Sequence, residues 1–110
     1  MERTIRNLAE MKGRVYLYFA TQKGAIRFQH MAEDEGFTFG DGAKPTEREC
    51  AEIMAINHDN TINFVGHIGT TAFMAGAKKI GNEGLIRVDF DKYVSGEKDF
   101  FFKQNTKEHE

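Results

Sequence analysis

The residues with most chemical promise lie in one stretch, residues 66–79, reading Gly-His-Ile-Gly-Thr-Thr-Ala-Phe-Met-Ala-Gly-Ala-Lys-Lys. It follows a strand-like run at 61–65 and sets two hydroxyls, Thr70 and Thr71, just before an apolar segment. That pattern predicts a strand turning into the start of a helix. Helix starts leave amides free and carry partial positive charge, so they hold anions. The amides near Gly69, Thr70 and Thr71 are therefore candidate donors. Arg27, Lys44, Arg48, Lys78, Lys79 and Arg87 are candidate cations, and Phe73, Tyr16 and Tyr18 are candidate platforms for a base. Together they predict a site for a phosphate-bearing nucleotide. Arg87 stands out because it lies inside a strand, next to Val88 and near Phe90. The plainer alternatives are an ordinary strand-to-helix connection capped by a threonine, and an Arg87 paired to Asp89 or Glu52.

Other chemistries have less behind them. His30, His58, His67 and His109 form no H-x-x-x-H pair, and Cys50 is the only cysteine. No local metal-ligand spacing results, so no metal or cofactor is expected. A triad drawn through Cys50 has no local support; a cysteine at a strand start is more often a small buried residue. A phosphodiester-cleaving enzyme using His58 or His67 is a third reading, but no motif defines a reaction class, so the expectation is a protein without catalysis. Net charge is −2, from 15 basic and 17 acidic residues. That balance argues against direct nucleic-acid binding and is too weak for a mimic of DNA.

The elements that must carry these residues follow from periodicity. Residues 14–20 alternate Val15, Leu17 and Phe19 against Tyr16 and Tyr18, apolar on both faces, which predicts a central strand. Thr21 is placed to cap a helix over 22–35 with Ala25, Phe28 and Ala32 on its inner face and Gly36 as its stop. Glu33, Asp34 and Glu35 stand at the wrong end for the helix dipole and read as a solvated face, with a bound cation as the alternative. A short strand at 37–39, a Gly-Asp-Gly turn at 40–42 and Pro45 come next. Thr46 and Glu49 have capping-box spacing. Residues 52–56 and 61–65 form an antiparallel hairpin around His58, Asp59 and Asn60. A strand at 85–90 turns Ile86, Val88 and Phe90 to the core, residues 91–96 form a turn or short helical bend, and Phe100, Phe101 and Phe102 close the sheet at an edge. Residues 1–12 hold Ile5, Leu8 and Met11 on one amphipathic turn or helix.

The fold expected is α+β: a single antiparallel or mixed sheet with two helices, in the order β-α-β-ββ-α-β-(β). Residues 1–103 make one domain and 104–110 a flexible tail. No apolar run is long enough to span a membrane and no signal peptide is visible, so the expected compartment is cytoplasm.

The phrase from Ala32 to Gly42, Ala-Glu-Asp-Glu-Gly-Phe-Thr-Phe-Gly-Asp-Gly, followed by Lys44-Pro45-Thr46-Glu47 and later by Thr61-Ile62-Asn63-Phe64-Val65-Gly66, resembles small uncharacterised proteins of phages and mobile elements of Gram-positive gut bacteria. The likeness covers roughly residues 13–95 and carries no functional residue across. It implies an accessory counter-defence factor in the bacterial host cytoplasm. Two modes fit. One sequesters a nucleotide immune signal, a cyclic nucleotide or ADP-ribose-type molecule, in a homodimer or larger homo-oligomer. The other is an anti-CRISPR-type inhibitor that presents acidic surfaces, around Glu33 to Glu35 and Glu47 to Glu49, to a basic bacterial defence nuclease.

Overall fold

Strand β1 (Arg14–Tyr18) is buried on both faces because its two sets of alternating side chains are both apolar. In the computed structural model, which describes residues 3–103, it lies inside a six-stranded mixed sheet of order β2-β4-β3-β1-β6-β5. Around it, in chain order, come α1 (Ile5–Ala9), α2 (Gln22–Asp34), β2 (Thr38–Phe39), a 3₁₀ turn (Pro45–Glu47), β3 (Ile53–Ile56), β4 (Thr61–Phe64), α3 (Gly66–Met74), β5 (Lys79–Ile80), β6 (Glu83–Asp89) and α4 (Phe90–Val94). β1 is antiparallel to β3 and parallel to β6. The β3–β4 hairpin turns through Asn60, whose φ of 69° is a left-handed value that asparagine tolerates.

The two faces of the sheet are covered unequally. Val15, Leu17 and Phe19 join Phe28 and Ala32 of α2, Ile5 and Leu8 of α1, and Phe90 and Tyr93 of α4 in the larger core. There the rings of Phe19, Phe28 and Phe90 meet pairwise at 5.2–5.7 Å between centroids. A fully buried phenylalanine contributes about 1.5–3 kcal/mol, so this trio is a main source of stability. On the other face Tyr16, Ile53, Ala55 and Phe73 form a smaller core beneath α3, with Phe102 packed against it.

The α+β class, the central β1, the Thr21 cap, the Gly36 stop and the hairpin all match the reading of the sequence. Four helices exist among the described residues rather than two, because α1 closes fully and the bend after residue 90 completes a turn capped by Asp89. The break at residues 81–84 is a tight hairpin between β5 and β6, with Gly81 at φ 61°. The edge expected at residues 100–102 is a single bridge, Val88 to Phe101, flanked by backbone bonds from Asp89 N to Phe100 O (2.8 Å) and from Phe102 N to Arg87 O (2.9 Å). The capping pair is Lys44 with Glu47, two residues earlier than its expected place: the Lys44 amide donates to Glu47 Oε1 at 2.9 Å. The tail at residues 104–110 and His109 lie outside the described residues.

The acidic end of α2 has a use that the dipole rule hides. Glu35 accepts the Ile5 and Arg6 amides at 2.9 and 2.8 Å, so it caps the start of α1. Glu33 accepts the amide and hydroxyl of Thr46 at 3.2 and 2.6 Å, so it holds the 3₁₀ turn. Carboxylates unfavourable at one helix's C-terminus thus serve the N-termini of two other elements.

The Thr46 hydroxyl, then its amide, hold the Glu33 carboxyl below the ordinary carboxylate range. Folding therefore gains from the ionised form. That gain is complete above the ordinary glutamate pKa and is lost as pH falls through the depressed value. Glu33→Gln is expected to be less stable than the parent at neutral pH, with the gap closing as pH drops through the acid range. Urea midpoints at stepped pH read this directly, and a gap independent of pH would contradict it.

Candidate ligand site

The sheet separates the predicted site residues into two groups on opposite faces. Gly69, Thr70, Thr71 and Phe73 belong to α3, and Arg87 packs against that helix from β6. Arg27 is on α2, with Lys44 and Arg48 on the segment that α2 holds through Gln29 and Glu33. These two groups do not converge.

The expected helix start is also displaced. α3 begins at Gly66, four residues before Thr70. In α-helical geometry the amides of Gly69, Thr70 and Thr71 then bond to carbonyls one turn back and are not free for a ligand. The small residue at 69 serves packing: a Cβ there would lie 2.7 Å from Val65 Cβ and 3.5 Å from the Tyr16 ring. Phe73 is fully buried, with its ring 4.7 Å from that of Phe102 and 6.3 Å from that of Tyr18. It offers no open face to a base.

The partners of Arg87 are neither Asp89 nor Glu52. Its Nη1 donates to the Phe73 carbonyl at 2.9 Å, and its guanidinium lies 5.6 Å from the centres of the Phe73 and Phe102 rings. A cation at the last turn of α3 complements the dipole, so Arg87 acts on the fold. Arg48 pairs with Asp41 and lies over the Phe39 ring at 4.8 Å. Lys44 and Lys78 are exposed. Arg27 edges a shallow hollow of about 190 Å³ with Lys23, Gly24 and Asp91. His58 and His67 flank β4 at opposite ends and are both exposed. Among the described residues no group of three or more His, Cys, Asp or Glu side chains could hold a metal ion.

The threonine-capped helix start sits elsewhere, where β1 runs into α2. Thr21 Oγ1 accepts the Gly24 amide at 2.9 Å. An internal carboxylate fills the anion position at this start: Asp91 accepts the Ala20 amide at 2.7 Å and the Thr21 hydroxyl at 3.0 Å. Gly24 leaves room for it: a Cβ there would lie 2.2 Å from Asp91 Oδ1, so the carboxylate would have to shift off its partners.

Beside this junction opens a cavity of about 370 Å³. Phe19, Ala25 and Ile26 give it an apolar floor, Gln22 and Gln29 line one wall, and Glu49, Cys50 and Glu52 come from the segment entering β3. Ile26 is 46% exposed at its lip. The lining holds two carboxylates and no lysine or arginine. Burial pushes the Cys50 thiol up to about 11, so it stays neutral and weakly nucleophilic near pH 7. Tyr18 is raised above its ordinary pKa by burial first and then by Glu52, Asp89 and Asp91.

None of the predicted site residues lines this cavity. A signal for it was present in the strand-then-capped-helix pattern at residues 14–35, since ligands of open sheets gather outside the carboxyl ends of parallel strands. No family model matches the chain, and no curated protein or solved structure matches it either.

The Asp91 plug makes a sharp prediction. Asp91→Ala should lower the unfolding free energy by about 1.5–3 kcal/mol, the value of hydrogen bonds to a charged group. Gly24→Ala should also destabilise, by pushing that carboxylate away. In the Asp91→Ala background the same Gly24→Ala change should instead stabilise by up to about 1 kcal/mol, because alanine is the better helix former. A double-mutant cycle in urea measures the sign change, and additive losses would contradict the packing.

Proposed function

We propose that this chain is a non-catalytic binding protein that docks against a basic surface of a partner protein, the second of the two counter-defence modes that the resemblance implies. The observation that carries the reading is the acid-lined cavity beside the start of α2. An apolar floor with an exposed isoleucine at the lip, edged on the β3 side by Glu49 and Glu52, has the form of an interface anchor with a charged edge. A lysine or arginine of the partner would lay its aliphatic stem on Phe19, Ala25 and Ile26 and bring its charge to the two glutamates. Nucleases expose such side chains along the channels that hold nucleic acid. A phosphate-bearing nucleotide fits this cavity poorly, since its charge would face carboxylates.

The test uses fluorescent peptides of equal length, one rich in arginine and lysine and one rich in glutamate. The basic peptide should bind, more weakly as salt rises, and should slow maleimide alkylation of Cys50, which lies in the cavity wall. Reversing charge with Glu49→Lys and Glu52→Lys together should weaken binding about tenfold or more. Equal binding of both peptides, or an unchanged affinity in the reversed variant, would refute the reading. Uptake of a cyclic nucleotide or ADP-ribose isomer by the parent chain, without peptide binding, would return the argument to signal sequestration.

A further inference from the structure

A second cavity, of about 280 Å³, shares no lining residue with the acid-lined one and has the opposite chemistry. It lies between α1, α4 and the segment leading to Phe100, lined by Leu8, Met11, Tyr93 and Phe100 with Arg3 and Lys98. Leu8 and Tyr93 are anchored in the main core, so these apolar walls are fixed rather than floppy. Tyr93 is braced further by its hydroxyl, which donates to the Thr4 carbonyl at 2.7 Å, and by the Phe100 ring at 5.0 Å.

The charge at this cavity is positive. Arg3 lies over the Tyr93 and Phe100 rings at 5.2 and 4.9 Å and donates to the Tyr93 carbonyl at 3.1 Å, which sets its guanidinium at one wall. Lys98 is exposed at another. Neither belongs to the ion pairs found among the described residues, Arg48 with Asp41 and Lys103 with Asp99. The nearby Asp99 is turned to Lys103 and to the Phe101 amide. No carboxylate of the described residues lines the cavity.

The geometry points to a binding site for a small amphipathic carboxylate, a medium-chain fatty acid in chemical class. The hydrocarbon lies against Met11 and Phe100, which are part-exposed, and the carboxylate meets Lys98 and the edge of the Arg3 guanidinium. A nucleobase is a poorer occupant, because Arg3 already covers the rings of Tyr93 and Phe100. The cavity volume is near the lower bound of small-molecule sites, about 300 Å³, which favours a slim ligand over a bulky one. This site is independent of the partner-docking reading.

Titration calorimetry of the full chain with decanoate, decanol and decylammonium tests it. Decanoate is expected to saturate at one molecule per chain, with decanol weaker and decylammonium not bound. Lys98→Glu, an exposed substitution that leaves the core intact, should weaken decanoate binding by about threefold to tenfold. Amide shifts on adding decanoate should centre on Met11, Lys98 and Phe100. Decanol binding as tightly as decanoate, an unchanged affinity in Lys98→Glu, or shifts centred on Cys50 and Glu52 would each overturn the assignment.

Discussion

Two helices begin side by side at one end of the sheet, and this crowding has to be neutralised. β1 and β6 run parallel and each feeds directly into a helix, α2 and α4. Both helix starts carry partial positive charge and unpaired amides. Asp91, in the first turn of α4, takes its carboxylate across to the backbone entering α2. The same two helices also meet through Phe28 and Phe90, and both rings pack on Phe19. At its far end α2 repeats the device outward, with Glu33 and Glu35 holding the 3₁₀ turn and α1. The helix layer on this face is therefore tied by carboxylates that reach from one element to the amides of another.

Much of the fold was legible because it rests on local rules. Alternation in residues 14–20 placed β1 at the sheet's centre, and the Thr21 and Gly36 signals bounded α2 to within a residue. What was not legible depended on long-range pairing. Nothing near Glu35 in the chain says that its carboxylate will find the amides of Ile5 and Arg6, thirty residues earlier in the sequence. β5 is only two residues long and exists because β6 is there to pair with it. The helix α3 starts early because Gly66, at φ 73°, lets the chain turn at once after β4, and no local side chain caps it.

The candidate site was less legible than the fold, for a related reason. Spacing puts Thr70, Lys78 and Arg87 near one another in sequence, but the sheet puts Arg27, Lys44 and Arg48 on its other side. Arginine inside a strand looks like a ligand donor. Here its guanidinium is taken up by the last turn of a helix. Conversely Ala20, Gln22 and Ala51 carry no chemical signal of their own and become cavity walls only through the antiparallel register of β1 and β3.

The sheet ends on both sides in strands of two residues, β2 and β5. Beyond β5, the long β6 is sealed only by the backbone of Phe100 and Phe102. Open strand edges recruit strands from other molecules. The last aromatic residues of this domain thus close that edge: a chain trimmed before Phe100 would bare the Asp89 amide and the Arg87 carbonyl, the groups through which a foreign strand could pair.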